Sequence, residues 1–359
     1  MKSFWRCLLA MPVLGMVGCW RMVETNPAMN ITYPAAYVVN GESNSISVID
    51  LASQQVSETI SLGEASRGSH SGAPMDEAIQ WPHHIYLSPD GTRLSLGVPG
   101  TDLSGGHDGS MAGMKGRIVL IDSRTGTIVS NQQTPGMNHN AAFSPSGTEI
   151  WTVEMAEAGK ALVYDALTLA FKQSIPVGAE PAEVTFSPDG QYAFVANGHG
   201  NSITVIRVSD KSVVKTIPVG EDPVGAWPGG DGKMYVDNEK GQSISVIDIA
   251  SLTVEQTLTL GFTPGYAALH RSRNELWVSQ AATGDKVVIF TQRAGAWQKA
   301  AEVPTGLDAH AIAFTPDGKT AYVTNQGAGT VSVIDTENRL KLKDIAVGKK
   351  PNGIVLKSN

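Results

Sequence analysis

The sequence predicts an all-β protein built from seven copies of one four-stranded antiparallel unit. A glycine that would close each unit recurs at intervals of 41 to 45 residues, with one longer interval of 73. These glycines are Gly63, Gly136, Gly178, Gly220, Gly261, Gly306 and Gly348. Self-similarity at a fixed period of this size is typical of repeat architectures, in which each unit needs its neighbours to bury its apolar faces.

The unit is most regular between residues 311 and 348. Its four short runs of apolar or alternating residues are residues 311–314, 320–324, 330–334 and 341–347. The third run alternates apolar and polar side chains, which is typical of a strand with one buried face. Pro316 and Gly318 predict a tight turn between the first two runs, because proline fixes φ and glycine accepts positive φ. Four antiparallel strands in about 40 residues match one blade of a β-propeller.

The two ends of the repeat predict that the ring of blades closes on itself. Residues 36–40 match a second strand with no first strand before it, and residues 351–356 match a first strand with no partner after it. The last strand would therefore complete the blade that the first segment begins, which removes the exposed sheet edge. We expect one seven-bladed β-propeller of four-stranded antiparallel blades at residues 33–359.

The second strands carry a motif that resembles a known family. Residues 322–325 read Tyr-Val-Thr-Asn, and looser copies occupy residues 37–40, 194–197 and 235–238. The repeat therefore resembles the YVTN family of seven-bladed β-propellers over nearly all of the chain after its N-terminal segment. Relatives of that family include bacterial surface proteins, lactonase-like enzymes and the haem-bearing domain of cytochrome-type nitrite reductase. The resemblance implies the fold and leaves the activity open, because propellers host unrelated functions.

The N-terminal segment predicts export. Lys2 and Arg6 precede an apolar run at residues 7–17 that is too short to span a membrane. Residues 16–19, Met-Val-Gly-Cys, resemble a bacterial lipoprotein cleavage box, apart from a methionine where leucine is usual. We expect a signal peptide at residues 1–18, lipidation of Cys19, and a tether at residues 19–32. An ordinary signal peptide cleaved elsewhere is the alternative.

The predicted location follows from the same segment. The resemblance to lipoproteins implies a periplasmic protein anchored to the outer membrane through Cys19, because Trp20 stands where an aspartate would retain it in the inner membrane. The chain has two cysteines, and Cys7 would be removed with the signal peptide, so a lipidated Cys19 leaves none for a disulfide. We expect a monomer.

The charge of the chain argues against nucleic acid as a partner. The formal net charge is −7, and acidic and basic residues are interspersed. A nucleic-acid surface needs a concentrated basic field, which this sequence lacks.

Aligning the predicted first strands by their turns places three histidines at one equivalent position. His83, His139 and His310 each lie four residues before the last apolar residue of their strand. First strands line the axis of a propeller, and their N-terminal ends open on one face of the ring. We therefore expect the three imidazoles to surround the mouth of the central channel.

Two insertions interrupt the repeat near these histidines, at residues 64–80 and 99–116. In antiparallel blades the interblade connections and the loops between second and third strands share one side, so both insertions should emerge on the histidine face. Long loops on a rigid scaffold are usual places for function. The candidate metal or cofactor ligands are His83, His84, His107, His139, His310, Met111 and Met114.

These side chains predict a metal or haem-type cofactor. Imidazole suits copper, zinc, iron and nickel, thioether sulfur suits copper(I), and haem iron accepts histidine or methionine as axial ligands. The sequence therefore favours a copper or haem-type site in support of periplasmic redox chemistry, with a periplasmic redox protein as the partner. The alternative for each histidine alone is a polar side chain that contacts channel water.

Two other functions remain open from the sequence. Glu183, Asp222 and Asp308 lie near the predicted channel mouth and would suit a lactonase-like hydrolase, as metal ligands or as a base. A scaffold that holds a partner protein without any cofactor is the second alternative. The sequence does not decide whether the protein is an enzyme.

Overall fold

The computed structural model describes residues 29–63, 79–103 and 113–358, and these residues form an all-β protein of twenty-eight strands. No helix in these three ranges is long and apolar enough to cross a membrane. The strands form seven separate four-stranded antiparallel sheets, as the repeat predicts.

The first three blades contain the N-terminal strands and the last strand of the chain. Blade 1 contains β1 (Ala35–Asn40), β2 (Ser45–Asp50), β3 (Gln55–Ser61) and β28 (Pro351–Lys357). Blade 2 contains β4 (Ile85–Leu87), β5 (Arg93–Val98), β6 (Arg117–Asp122) and β7 (Ile128–Gln133). Blade 3 contains β8 (Ala142–Phe143), β9 (Glu149–Glu154), β10 (Lys160–Asp165) and β11 (Phe171–Pro176).

The other four blades follow in chain order. Blade 4 contains β12 (Pro181–Phe186), β13 (Tyr192–Asn197), β14 (Ser202–Arg207) and β15 (Val213–Pro218). Blade 5 contains β16 (Pro223–Pro228), β17 (Lys233–Asn238), β18 (Ser243–Asp248) and β19 (Thr253–Thr259). Blade 6 contains β20 (Pro264–His270), β21 (Glu275–Gln280), β22 (Lys286–Arg293) and β23 (Ala296–Pro304). Blade 7 contains β24 (Ala309–Phe314), β25 (Thr320–Asn325), β26 (Thr330–Asp335) and β27 (Leu340–Ala346).

The ring closes in blade 1, where the last strand of the chain joins the first. Strand β28 pairs antiparallel with β1, and Val355 lies opposite Tyr37 in the register. The sheet order is β28-β1-β2-β3, so the C-terminal strand is the innermost strand of this blade. The predicted closure is confirmed.

Apolar side chains fill the spaces between neighbouring blades. One cluster joins Tyr37 and Val48 of blade 1 to Leu96 and Val119 of blade 2, and all four are fully buried. The fourth strands are mostly exposed, as in β27, where only Ile345 is buried. Each sheet therefore buries its two faces against its neighbours and leaves one edge at the rim.

The asparagine that ends the second strand explains four of the seven recurring glycines, namely Gly178, Gly220, Gly306 and Gly348. The Nδ2 of Asn325 donates hydrogen bonds to Thr330 Oγ1 at 2.9 Å and to Ser332 Oγ at 3.0 Å on the third strand. A Cβ atom added to Gly306 would lie 2.9 Å from the Cβ and Cγ atoms of Asn325. The side chain of Asn325 thus occupies the space that a side chain at position 306 would need.

The blades define two faces of the ring. The loop face carries the interblade connections and the loops between second and third strands; the turn face carries the tight turns at the other strand ends. The chain enters blade 1 from the turn face. There the backbone N–H of Ile31 donates to Arg124 O at 2.8 Å, and Ile31 is buried in the cluster between blades 1 and 2. Close packing therefore begins upstream of residue 33.

Candidate metal site at the channel mouth

Four histidines lie at the loop-face ends of three innermost strands. His83 and His84 directly precede β4, His139 lies three residues before β8, and His310 is the second residue of β24. Strands β4 and β8 contain only three and two residues, so these histidine-bearing segments leave the regular ladder that the repeat predicts. The backbone still contacts the second strand, because His83 N–H donates to Gly97 O at 2.9 Å.

Two glycines allow the histidine-bearing segments to approach one another. A Cβ atom on Gly97 in β5 would lie 2.5 Å from Asn140 Cα and 2.6 Å from His139 O. A Cβ atom on Gly353 in β28 would lie 2.9 Å from His84 Cα. Any larger residue at these positions would hold neighbouring blades apart at the channel mouth.

The four imidazoles form one buried cluster. The ring centroids of His83 and His139 are 4.0 Å apart, and those of His83 and His84 are 4.7 Å apart. The His310 centroid lies 5.7 Å from that of His84 and 5.9 Å from that of His83. Each of the four residues is at most 8% exposed. The structure therefore brings together side chains that are far apart in the chain.

Glu183 of β12 holds two of these imidazoles through one oxygen atom. His84 Nε2 lies 2.9 Å and His139 Nδ1 lies 2.8 Å from Glu183 Oε1. Because a carboxylate oxygen only accepts, each of these nitrogens donates its hydrogen. In the neutral tautomers the lone pairs then belong to His84 Nδ1 and His139 Nε2, which face away from Glu183.

The second oxygen of Glu183 lies in a polar network. Tyr86 Oη donates to Glu183 Oε2 at 3.3 Å and accepts from Asn140 Nδ2 at 3.0 Å. Asn140 Nδ2 also donates to Val184 O at 2.8 Å, which connects blade 3 to blade 4. The carboxylate, which blade 4 carries, is therefore held in a fixed orientation by groups from blades 2 and 3.

The pKa shifts in the cluster favour neutral imidazoles, the form in which histidine binds a metal ion. Burial lowers the pKa of the His139 imidazole, although its contact with Glu183 opposes that effect. Burial lowers the pKa of His310 to about 3, with repulsion from His84 and His139 acting in the same direction. Burial alone would raise the pKa of Glu183, but His84 and His139 together hold it well below its ordinary value. At neutral pH His139 and His310 are uncharged, and Glu183 is ionised.

The cluster has dimensions close to those of a metal site. Ligand atoms of His83, His84 and His139 all lie within 4.8 Å of one another. Nitrogen ligands about 2.05 Å from a tetrahedral ion are roughly 3.3 Å apart. The three imidazoles would therefore have to move closer together to bind one ion.

Met114 is the one remaining candidate from the sequence that lies among the described residues. Met114 lies on the surface with 38% of its area exposed, outside the histidine cluster. His107, Met111 and Cys19 lie outside the described residues. Leu103 is the last described residue before the gap at 104–112 in the second insertion. It lines a pocket together with three of the histidines.

The acids proposed for a hydrolase lie at or near the mouth. Asp222 is buried, and Lys240 Nζ lies 3.1 Å from its Oδ2. Asp308 is also buried, and its Oδ1 accepts a hydrogen bond from Ala282 N at 2.7 Å. Glu183 is committed to the two histidines, so it does not present a free carboxylate to a substrate.

Sequence reasoning named Glu183 at the channel but did not connect it with the histidines, and it missed the aromatic neighbours of the cluster. The Trp227 ring centroid lies 6.0 Å from that of His84 and 3.9 Å from that of Tyr266. Asn140 and Glu183 occupy the same register position as His84, one residue after the aligned histidine position. Comparing this second register position across the blades would have connected Glu183 with His84.

A second group of possible ligands lies on the loop face between blades 3 and 4. Ligand atoms of Glu157, Glu180 and His199 lie within 4.8 Å of one another, and His199 Nε2 is 3.3 Å from Glu180 Oε2. Glu157 and His199 are exposed. Water solvates this group, unlike the buried cluster.

Fold and site together define a seven-bladed β-propeller with a histidine cluster buried at its channel mouth. No family model and no curated protein matches the chain, so membership of the YVTN family stays a prediction from the motif. Solved structures do match. A protein of unknown function from Desulfotomaculum acetoxidans DSM 771 has a TM-score of 0.71 at 14% identity, over 90% of this chain and 99% of that one.

Two further solved structures have named activities. The periplasmic gluconolactonase of Pseudomonas aeruginosa matches with a TM-score of 0.67 at 18% identity, over 90% of this chain and 98% of that one. A dihydro-heme d1 dehydrogenase in complex with DHE matches with a TM-score of 0.62 at 16% identity, over 93% of this chain and 78% of that one. At these identities the likeness shows the fold alone.

Proposed function

We propose that this propeller binds one transition-metal ion, copper by preference, at the channel mouth and uses it in redox chemistry. His83, His84 and His139 are the proposed ligands, and His310 is the fourth imidazole within reach. The observation that carries the proposal is the convergence of four buried imidazoles from three blades, two of which share one carboxylate oxygen.

A purely structural role explains the cluster poorly. Buried polar groups are normally hydrogen-bonded, because desolvation without a partner is costly. The Nδ1 atom of His310 makes no hydrogen bond to any described residue. A metal ion would provide a partner for this buried nitrogen.

Glu183 has the position expected of a carboxylate that supports metal-binding histidines. Such groups accept the N–H of a ligand imidazole, fix its tautomer and increase its basicity. Here one oxygen does so for both His84 and His139. The lone pairs of the two rings are thereby directed away from the carboxylate.

The donor set favours a copper ion over a haem-type group. Imidazole sites follow the Irving–Williams order, in which copper(II) binds most tightly among the divalent ions of the first row. The pocket beside the histidines has a volume of about 60 Å³. Sites for organic ligands generally have about 300–1,000 Å³. An ion therefore fits this mouth better than a macrocycle does.

The proposed setting of this chemistry comes from the N-terminal sequence. Residues 1–18 support export, and Cys19 supports lipid anchoring at the outer membrane. A soluble redox protein of the periplasm would then be the partner that exchanges electrons with the site.

Metal analysis of purified protein tests the proposal. Wild-type protein loaded with copper(II) and then desalted should retain one equivalent, with an electron paramagnetic resonance spectrum of nitrogen ligation. His139→Ala and His83→Ala should each lose most of this copper. His199→Ala removes a histidine from the exposed group and serves as the matched control.

Retention of copper in both cluster variants, or its loss in His199→Ala alone, would contradict the proposal. Protein that takes up neither copper nor zinc would leave the hydrolase and scaffold alternatives. Turnover of a lactone panel, or partner capture insensitive to chelators, would then identify which of those two applies.

A further inference from the structure

A pocket of about 60 Å³ lies against the histidine cluster and combines two kinds of metal ligand. Its lining includes the imidazoles of His83, His139 and His310 together with the carboxyl groups of Glu239 and Asp308. Glu239 directly follows β17 and Asp308 directly precedes β24, so both acids lie at the loop face. An ion that reaches the histidines from this face meets the acids on its way.

The two acids are held close to the pocket by their surroundings. Asp308 Oδ1 accepts the backbone N–H of Ala282 at 2.7 Å, and its own backbone carbonyl accepts Gln326 N–H at 2.8 Å. Lys240, the basic neighbour of Glu239, places its Nζ 3.1 Å from Asp222 Oδ2 instead. The backbone N–H of Glu239 donates to Asp222 O at 2.9 Å. Both acids therefore lie on hydrogen-bonded backbone beside the pocket, with Lys240 near Glu239 and Lys350 near Asp308.

Oxygen and nitrogen ligands bind a hydrated cation in different ways. Carboxylates bind cations readily through retained water molecules, whereas imidazole binds copper and zinc directly. Clefts lined by charges of one sign raise the local concentration of counter-ions and can raise association rates by about 10- to 1,000-fold. The arrangement suits capture at the oxygens followed by transfer to the nitrogens.

We propose that Glu239 and Asp308 form an outer, transient site for a hydrated divalent metal ion, from which the ion passes to the histidines. This inference rests on the proposed function, because it assigns the route by which the ion reaches that site. The transfer exchanges water and carboxylate oxygens for imidazole nitrogens and changes no oxidation state.

Stopped-flow mixing of metal-free protein with copper(II) chloride tests the route. Trp227 reports binding, because its ring lies 6.0 Å from His84 and bound copper(II) should quench its fluorescence. At pH 8, above the value of about 7 to which burial raises the pKa of Glu239, the variant Glu239→Gln with Asp308→Asn removes two negative charges and keeps the side-chain shapes. The matched control is Glu221→Gln with Asp285→Asn, which makes the same charge change on exposed residues of the same face.

At low salt we expect the association rate of the pocket variant to fall about tenfold or more, and that of the control to fall less than twofold. The release rate of the pocket variant should fall in parallel, so that its equilibrium affinity changes little. Added salt should slow association in the wild-type protein and have a weaker effect in the pocket variant. If the double variant does not fold, each single substitution is measured in the same way.

Three results would overturn the inference. Association could be unchanged in the pocket variant, or slowed equally in the control, which would show a general effect of net charge. Release could instead become faster, which would make the acids direct ligands of the bound ion. In each case copper still binds, so the proposed function stands; absence of copper binding in wild-type protein would overturn both.

Discussion

At the residue scale, the geometry of the site depends on Glu183, whose Oε1 is shared by His84 and His139. Replacement by leucine removes the acceptor and frees both rings to change tautomer and orientation. Loss of such a supporting carboxylate typically costs about 10- to 100-fold in metal affinity. We expect Glu183→Leu to lower copper affinity by that factor in competition titrations.

A conservative variant separates orientation from simple damage to the fold. Glu183→Gln keeps one oxygen that can accept a hydrogen bond, so its affinity should lie between those of wild type and Glu183→Leu. Equal affinity in all three proteins would show that Glu183 does not orient the ligands.

Asp237, also at the residue scale, should make stability depend on pH. It is fully buried, and its Oδ1 accepts hydrogen bonds from Trp227 Nε1 at 2.7 Å and from Gly225 N at 3.1 Å. Burial raises the pKa of this carboxyl well above its ordinary value, and the charges of Glu239 and Glu183 add to the effect. The folded protein therefore keeps a proton that the unfolded chain releases above about pH 4.

The sign of the effect follows from that difference in bound protons. The free energy of unfolding falls as pH rises above the unfolded pKa, because the unfolded chain then binds fewer protons than the folded protein. Asp237→Asn keeps the Oδ1 acceptor and cannot ionise. Urea unfolding should show the variant to be more stable than wild type at pH 8, with a smaller difference at pH 5. An equal difference at both values would contradict this explanation.

The alignment of the sequence identified His83, His139 and His310 because they occupy one position in a regular repeat. It did not connect Glu183 with them, since the contact joins different register positions on neighbouring blades. Trp227 and Tyr266 were missed for a similar reason. Their stacking depends on how the first strands of blades 5 and 6 pack at the channel, which no single repeat displays.

At the scale of the strand, Gly97 in β5 determines how closely blades 2 and 3 meet. Gly97→Ala would place a Cβ atom 2.5 Å from Asn140 Cα, a contact that only backbone movement can relieve. Overpacking of this kind typically costs about 1–3 kcal/mol. We expect a loss of that size in urea unfolding and weaker copper binding, because His139 moves with Asn140.

Gly63→Ala is the matched control for this change. A Cβ atom there would have its nearest neighbour, Asn44 Cβ, at 3.8 Å, which is ordinary contact. If both alanine variants show the same stability and the same copper affinity, close approach at Gly97 does not build the site.

The strands themselves were predicted well from the sequence, because turn residues and alternating side chains are local signals. The predicted run at 320–324 corresponds to β25 (Thr320–Asn325), and that at 330–334 to β26 (Thr330–Asp335). The exceptions are β4 and β8, which are shorter than a regular first strand. Their shortening follows from the crowding of His83, His84 and His139 at the mouth, a tertiary effect that the repeat pattern does not contain.

At the scale of the whole molecule, stability should depend on closure of the ring by β28. Ending the chain after Lys350 would remove this strand and leave β1 with an open edge beside the channel. Open edges pair with other chains. We expect the shortened protein to lose its cooperative thermal transition and to form oligomers in size-exclusion chromatography.

Removing only the last two residues, Ser358 and Asn359, is the control, since β28 ends at Lys357. This protein should behave as the full-length chain does. A monomer with an unchanged thermal transition after the longer deletion would show that closure contributes little to stability.

The architecture as a whole could be read from the sequence because seven repeats and two incomplete ends admit one closed ring. The chemistry could be read only in part. Repeats place first strands around an axis, but the width of the channel depends on residues such as Gly97 and Gly353 that set the distance between blades. The close approach of four buried imidazoles is a product of that width.

The path of the chain into blade 1 has a consequence for how the protein would sit in a cell. Ile31 docks beside Arg124 on the turn face, so the described chain begins on the side of the disc away from the histidines. If the protein were fastened to lipid on that side, the channel mouth would face away from the bilayer and a soluble partner could reach it.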